Sequence, residues 1–404
     1  MSVGRWIGGA FAALAIAELA ARGALEWGPA RLRDSFPSRA ERLMLRSAAV
    51  ASFVDTRDGV GQFDAELGWT LRPGFRSDLD SINAEGQRSL RSYSPAPNDG
   101  VLRVAAFGDS FVYGSGVDDA HAWSSVLERE HPNVEVLNHG VPAYGPDQSY
   151  LRARREAARF APDVVVLGIS CHTLACTLES IGHLRAPAEF APKPRFELAP
   201  DGSLALVPTP IQRAEDARPW IADPLSSYRL GGGDFSYEPL LVECELVDHS
   251  AALQLGFGAS LWLYRHHLDP RRPYRIDAGG RVCNRESPAF RITAAIASEF
   301  TRATRQEGRH PLVLILPDED GIQRRQRGAT SPCQPLLEAC RAADLPCLDA
   351  SEPLLAAAAR GDTVFEAGHY SETGNAALAH WLAERFAALA TAPLADSRPA
   401  RAQR

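Results

Sequence analysis

The sequence predicts an α/β protein in which helices cover both faces of a parallel β-sheet. Short apolar segments alternate with segments of helical periodicity from about residue 101 to residue 389. The segment 163–169 is rich in β-branched residues, as is typical of a strand in the centre of a parallel sheet. Parallel strands need long crossover connections, and the helical segments lie where those crossovers are required.

Five strands and five helices are predicted in this part of the chain. The strands are residues 101–107, 134–137, 163–169, 311–316 and a weaker one that begins at 346–348. The helices are residues 123–129, 147–160, 292–306, 335–343 and 374–389. In the last helix, Leu378, Leu382 and Phe386 form one apolar stripe, which indicates that this helix packs on the sheet.

Composition and charge exclude several classes of protein. Of the 404 residues, 45% are hydrophobic and 23% are charged, which excludes disordered, collagen-like and multi-span membrane chains. The formal net charge of −7 argues against nucleic-acid binding. Seven cysteines match no zinc spacing, and no metal or cofactor is expected. In an exported protein they are compatible with one or two disulfides of unassigned pairing.

The N-terminus carries an apolar segment at residues 6–21, which follows Arg5 and contains one charged residue, Glu18. Three interpretations stay open. The segment is a cleaved signal peptide with a small-residue site at 15–17, an uncleaved anchor that continues to about Leu25, or an alanine-rich helix packed on the domain. We favour the anchor, which predicts a cell-envelope protein at the inner membrane facing the periplasm. The cleaved signal peptide would instead predict a secreted protein.

The predicted domain organisation follows from these patterns. Residues 1–28 form the signal anchor or signal peptide, 29–60 a solvated linker and 61–391 the α/β domain, and 392–404 are a disordered tail. Residues 177–288 interrupt the strand–helix alternation and are predicted as a large insertion between the third and fourth strands. Insertions after the carboxyl ends of strands shape the ligand cleft in open α/β sheets.

The sharpest local motif is Gly108-Asp109-Ser110, directly after the first predicted strand. Ligands of open α/β sheets bind at the carboxyl ends of the strands. Gly108 allows a sharp turn there, and Asp109 can hold that turn through hydrogen bonds to local backbone. Ser110 is therefore a candidate nucleophile, with an ordinary Gly-Asp-Ser turn as the alternative.

A second motif lies in a polar loop before the last helix, where His369 follows Glu366 by three residues. A carboxylate at this spacing can orient one ring nitrogen of the histidine, which leaves the other nitrogen free to accept a proton. His369 is therefore a candidate general base, and Glu366 is its candidate orienting group.

In combination these motifs resemble the SGNH/GDSL hydrolase superfamily, of the bacterial, envelope-anchored type. The resemblance rests on Gly108-Asp109-Ser110, on Asn138-His139-Gly140 with Tyr144-Gly145-Pro146-Asp147-Gln148, and on Glu366-Ala367-Gly368-His369. It implies a flavodoxin-like three-layer sandwich with sheet order 2-1-3-4-5. It also implies acyl-ester chemistry with Ser110 as nucleophile, His369 as base and Glu366 as the orienting carboxylate.

The resemblance also implies an oxyanion hole. Its donors would be the backbone N–H of Ser110, a backbone N–H between Gly140 and Gly145, and a side chain after the third strand. Ala143 stands at the position of the usual glycine, and His172 stands where the family has asparagine. A neutral histidine can donate one N–H, so His172 can retune this site. The alternative is a strand-end histidine packed against the insertion.

These features predict a serine esterase that removes short acyl groups, above all acetyl, from an envelope or exported glycan. The predicted partners are an acylated glycan or small ester and, through the N-terminal helix, a membrane, without nucleic acid. Two alternatives stay open: an O-acyltransferase that acts on polysaccharide hydroxyls, and a non-catalytic glycan-binding or assembly protein on a decayed hydrolase fold.

Overall fold

The computed structural model describes residues 3–28, 36–55, 59–182, 184, 186–277 and 280–391. The chain forms two compact units. Of the described residues, the sheet unit comprises 59–178, 193–209, 270–277 and 280–391, and the helical unit comprises 3–28, 36–55, 179–182, 184, 186–192 and 210–269. The tail predicted over 392–404 lies outside the described residues.

The elements are numbered along the chain. The helices are α1 Val3–Trp27, α2 Arg39–Asp55, α3 Ser110–Tyr113, α4 Trp123–Glu130, α5 Pro146–Glu156, α6 Pro224–Arg229, α7 Pro239–Val242, α8 Ala251–Leu263, α9 Pro288–Gln306, α10 Glu319–Gln326, α11 Gln334–Ala342, α12 Ser351–Ala359 and α13 Glu372–Thr391. The strands are β1 Gly61–Asp64, β2 Gly68–Leu71, β3 Leu102–Phe107, β4 Val134–Asn138, β5 Val164–Ser170, β6 Ile181–Gly182, β7 Ala191–Pro192, β8 Arg195–Leu198, β9 Leu204–Val207, β10 Tyr274–Asp277, β11 Gly280–Cys283, β12 His310–Leu316, β13 Cys347–Asp349, β14 Phe365–Glu366 and β15 His369–Tyr370.

A five-stranded parallel sheet forms the centre of the sheet unit, with spatial order β13-β12-β5-β3-β4. Counted along the chain, this is the order 2-1-3-4-5, so the predicted α/β class and strand order are confirmed. β5 lies in the middle and is buried along its whole length, because both of its faces meet helices.

The two faces of the sheet support separate apolar cores because side chains alternate along each strand. On β5, Val165 and Leu167 face the core built with α5, α9 and α11, whereas Val164 and Val166 face the core built with α4, α12 and α13. The predicted stripe on the last helix lies in the second core, where Leu378 and its neighbours are buried.

Two helix boundaries differ from the prediction for local reasons. α9 begins at Pro288 instead of residue 292, because the Ser287 hydroxyl accepts the N–H of Phe290 and proline suits the first helical position. The helix predicted over 147–160 ends as an α-helix at Glu156 and continues as a 3₁₀ turn over Ala157–Phe160.

The predicted linker over 29–60 differs from the structure in residues 39–55, which form α2 in the helical unit. Arg46 on α2 is fully buried, and its guanidinium donates to the carbonyl oxygens of Leu184, at 3.0 Å, and Glu189. These acceptors lie in the predicted insertion, so parts of that insertion and the N-terminal residues belong to one compact unit. No local sequence pattern indicates partners so far apart in the chain.

The α1 helix carries the apolar N-terminal segment. Its Glu18 carboxylate accepts hydrogen bonds from the Ser250 hydroxyl and from the N–H groups of Ala251 and Ala252 at the start of α8. Among the described residues, no helix has the length and apolarity needed to span a membrane.

Glu156 at the end of α5 is the centre of a buried charge cluster. Its carboxylate accepts from Arg152, at 3.2 Å, and from Arg155, at 2.9 Å, and lies 3.0 Å from Nδ1 of His139. Burial by itself would raise the pKa of Glu156, but the Arg152 charge and the His139 and Arg155 contacts outweigh it and hold that pKa well below its usual range. Burial lowers the pKa of His139.

Both shifts predict a loss of stability in acid. A carboxyl group with a lowered folded-state pKa contributes stability above its unfolded pKa, and this contribution disappears as the pH falls. The unfolded state also takes up a proton at His139 more readily, which acts in the same direction. We expect the free energy of unfolding to fall as the pH drops, through His139 from about pH 6.5 downwards and through Glu156 from about pH 4.5 downwards.

Urea denaturation at pH 7, 5 and 3 measures this loss. Glu156→Gln should reduce the loss between pH 5 and pH 3, whereas Glu352→Gln, which changes an exposed carboxylate, should leave it unchanged. Equal slopes for the wild type and Glu156→Gln would contradict the assignment.

Candidate active site

The turn that carries Ser110 follows β3 at the carboxyl edge of the sheet. A Cβ atom at Gly108 would lie 2.2 Å from Cγ2 of Val112, so only glycine fits there. The Asp109 carboxylate accepts the N–H of Phe111 at 2.9 Å and thereby starts the short helix α3. The predicted local geometry of Gly108, Asp109 and Ser110 is therefore present.

His369 reaches the same edge from the far end of the chain. It lies on β15, which pairs with β14 in a hairpin, and the Tyr370 hydroxyl holds this hairpin by donating to the Pro317 carbonyl at 2.9 Å. Nε2 of His369 lies 3.0 Å from Oγ of Ser110, at hydrogen-bond distance. The structure thus brings the candidate nucleophile and base together across 259 positions of sequence.

Glu366 does not make the predicted contact with His369. The two residues are direct partners across the β14–β15 hairpin, but the Glu366 side chain is exposed. Among the described residues, no carboxylate lies within hydrogen-bond or ion-pair distance of the His369 ring. A solvated carboxylate gains little from an exposed ion pair, which explains why proximity along the hairpin is not enough.

This geometry predicts a weak effect for Glu366→Gln. If a carboxylate held the imidazole in place, its neutralisation would lower kcat by about 10⁴-fold. Because Glu366 makes no contact with the ring, we expect a change of kcat within about three-fold, measured with a chromogenic acetate ester. Asp362→Asn, which changes a half-buried carboxylate of the same loop that pairs with Arg360, is the control. A hundred-fold loss with Glu366→Gln alone would contradict this geometry.

The Phe111 ring contacts both candidate imidazoles. Its centroid is 5.3 Å from that of His369 and 5.5 Å from that of His172. His172 belongs to the 3₁₀ segment Cys171–Leu178 that follows β5, and its Nδ1 is buried without a hydrogen-bond partner among the described residues. His172 therefore packs against the Phe111 side of the serine turn.

The loop after β4 runs beside the serine turn. The N–H of Val141 donates to the Gly108 carbonyl at 3.0 Å, and the N–H of His139 donates to the Ala106 carbonyl at 2.8 Å. This hydrogen bonding brings the predicted second oxyanion segment next to the turn of Ser110.

Gly140 is not a suitable oxyanion donor, which corrects one part of the prediction. Its N–H already donates to Oδ1 of Asn138 at 3.0 Å. A Cβ atom at Gly140 would lie 2.2 Å from the backbone nitrogen of Tyr113, so this glycine permits close backbone packing. Gly140 was predicted as a donor because it lies in the Asn138-His139-Gly140 motif. In the structure its contacts serve the packing of the backbone.

Ala143 is the other candidate donor of this segment. Its φ is 67°, a left-handed conformation that favours glycine and costs an alanine about 1–2 kcal/mol. Among the described residues, the N–H groups of Ala143 and Ser110 donate to no other group. Both donors are therefore available to a ligand oxygen.

Two further residues hold the serine turn and were not predicted. Asn138, at the end of β4, donates through Nδ2 to the carbonyl oxygens of Val112, at 3.0 Å, and Tyr113, at 3.1 Å. The indole of Trp123 donates to the same Val112 oxygen at 2.8 Å. A polar residue that ends an apolar strand was the available signal for Asn138.

A disulfide joins Cys171 to Cys333, which resolves the open pairing for these two cysteines. Cys171 directly precedes His172, and Cys333 directly precedes α11. The disulfide therefore fixes the chain next to a candidate site residue.

No family model and no curated protein match the sequence. Solved structures do match. The chain is similar to a putative lipolytic protein of the G-D-S-L family from Desulfitobacterium hafniense DCB-2, with 11% identity over 70% of this chain and 98% of that one, at a TM-score of 0.32. It is also similar to a lipase/acylhydrolase from Enterococcus faecalis, with 12% identity over 70% of this chain and 95% of that one, at a TM-score of 0.29.

A third match is a two-domain esterase active on acetylated mannans, with 10% identity over 75% of this chain and 54% of that one, at a TM-score of 0.33. The family that the motifs resemble is thus present among the matching solved structures. With identities near 10% and TM-scores near 0.3, these matches carry no functional argument. The function is therefore argued from the geometry of the site.

Proposed function

We propose that the protein is a serine esterase of the SGNH/GDSL type. The observation that carries this proposal is the 3.0 Å approach of His369 Nε2 to Ser110 Oγ at the carboxyl edge of the sheet. A serine hydroxyl is a weak nucleophile without an aligned base, and this distance supplies the alignment. The contact also argues against a decayed, non-catalytic site, because such a site does not require a histidine aligned with the serine.

The proposed reaction has two steps. Ser110 Oγ attacks the ester carbonyl carbon while its proton passes to His369 Nε2, and the protonated imidazole then gives that proton to the departing alkoxide. In the second step, His369 takes a proton from water, the hydroxide attacks the acyl-enzyme carbonyl, and Ser110 regains its proton as the carboxylic acid leaves. Each step forms one C–O bond and breaks another.

The negative oxygen of each tetrahedral intermediate needs donors. In the proposed site these are the N–H groups of Ser110 and Ala143, with His172 as a third. One such donor lowers the activation free energy by about 3–4 kcal/mol. With Glu366 turned to solvent, His369 acts without a carboxylate partner, so the site works as a serine–histidine dyad.

The proposed substrate is a short acyl ester, above all acetyl, on an envelope or exported glycan. The apolar N-terminal segment and the Cys171–Cys333 disulfide support an extracytoplasmic location, because disulfides persist in oxidising compartments. We propose an inner-membrane location facing the periplasm. Protease accessibility in intact cells and in spheroplasts tests it, and a body protected in spheroplasts would contradict it.

Activity is tested with the full-length protein. We expect hydrolysis of p-nitrophenyl acetate, labelling of Ser110 by a fluorophosphonate, and acetate release from an acetylated polysaccharide. Release of p-nitrophenol that stays slow until an acceptor sugar is added, with the acetyl group recovered on that sugar, would instead identify an O-acyltransferase. A folded protein whose Ser110 stays unlabelled would refute both activities.

A further inference from the structure

Lys193 is the single lysine in a chain whose basic residues otherwise are all arginines. It is buried just before the β8–β9 hairpin of the sheet unit. Its Nζ donates to Oδ2 of Asp147 at 2.5 Å, to the Cys176 carbonyl at 3.0 Å and to the Pro194 carbonyl at 2.9 Å. The ammonium is thus the junction of three chain segments.

Two of these segments carry candidate oxyanion donors. Asp147 lies in the first turn of α5, four residues after Ala143. Cys176 lies in the 3₁₀ segment that also contains His172. Lys193 therefore ties the loop of one donor to the segment of another, although the two follow different strands.

The fit at this junction is tight. A Cβ atom at Gly145 would lie 2.5 Å from Oδ1 of Asp147 and 2.9 Å from Cβ of Cys176, so the two segments are packed together with no spare volume. A lysine ammonium is a compact charge with three donors, whereas arginine presents a wide planar fork with five. The geometry explains why lysine is used here in an arginine-rich chain.

We propose that Lys193 is a positioning residue that fixes the separation between the Ala143 loop and the His172 segment. It touches neither Ser110 nor His369, so it acts through the placement of the oxyanion donors. A donor displaced from the developing oxyanion loses much of its effect on the rate. This inference rests on the proposed esterase function.

The alternative is that the Lys193–Asp147 pair serves stability alone. Removal of one partner would leave an unpaired buried charge and destabilise the fold. The informative variant therefore removes both charges: Lys193→Met combined with Asp147→Asn. Arg103→Met combined with Glu135→Gln is the matched control, since this partly buried pair joins β3 and β4 near their amino ends at 2.6 Å.

We expect the Lys193/Asp147 double variant to fold and to lose about 10- to 100-fold in kcat on p-nitrophenyl acetate, with KM changed less than two-fold. The control pair should change Tm without this loss of kcat. Lys193→Arg keeps the charge but not the size, and it should show the same kcat loss with a Tm lowered less than in the double variant. It serves as the test if the double variant does not fold.

Hydrogen–deuterium exchange provides a readout that does not depend on turnover. Amides in residues 140–145 and 171–178 should exchange faster in the Lys193 variants and at the wild-type rate in the control. Unchanged exchange in both segments, or a folded variant that keeps its kcat within two-fold, would overturn the inference. A wild-type protein without turnover would refute the proposed function instead, while the exchange experiment would still decide the role of Lys193.

Discussion

Ser110→Ala is expected to abolish ester hydrolysis, with kcat on p-nitrophenyl acetate lowered by at least about 10⁴-fold. The alanine cannot form the acyl-enzyme, so the two-step route through the 3.0 Å contact with His369 is closed. The measurement combines initial rates with mass spectrometry of the fluorophosphonate-treated protein. Wild type should gain one phosphonyl group at Ser110, and the variant should gain none.

The control for this experiment is Ser115→Ala, which removes a hydroxyl five residues away and keeps the backbone N–H that donates to the Ser110 carbonyl at 2.9 Å. It should keep both turnover and labelling. His369→Gln should lose turnover to a similar extent as Ser110→Ala, because a hydroxyl without its base is a weak nucleophile. Labelling at a different serine, or substantial turnover in Ser110→Ala, would remove the basis of the proposed mechanism.

Loss of the disulfide is expected to have the second largest effect. Cys171 and Cys333 are separated by 162 positions, and in the chain-entropy description a closed loop of that length stabilises a fold by about 5 kcal/mol. The double variant Cys171→Ala/Cys333→Ala should therefore lower the free energy of unfolding by about 2–5 kcal/mol. Urea denaturation under oxidising conditions measures the change.

The same double variant should lower turnover, because Cys171 precedes His172 and is no longer bonded to the segment before α11. Cys244→Ala, which removes an unpaired cysteine of the helical unit, should alter neither stability nor rate by a comparable amount. An unchanged denaturation midpoint with or without reducing agent would show that the disulfide is absent in solution.

Local patterns were enough to predict the sheet. The β-branched run of β5, in a chain with alternating helices, predicts a central strand of a parallel sheet. The strand order followed from the motif resemblance. The position of Ser110 also follows from local sequence, because Gly108 and Asp109 determine that turn by themselves. These predictions needed no knowledge of distant contacts.

Other features depend on partners far apart in sequence. Arg46 on α2 donates to carbonyl groups at residues 184 and 189, so the helical unit could not be predicted. The contact of Lys193 with Asp147, which joins the segments of two candidate oxyanion donors, could not be predicted either. The surroundings of Gly140 and Glu366 could not be predicted either, because spacing alone does not show which N–H is already bonded or which carboxylate faces water.

The distance along the chain between Ser110 and His369 also bears on biosynthesis. Since translation proceeds from the N-terminus, a nascent chain contains its serine long before its histidine has been made. During that interval the hydroxyl has no proton acceptor and stays unreactive. The proposed esterase would thus become competent only after the C-terminal hairpin has docked, and truncation before residue 369 would give an inert polypeptide.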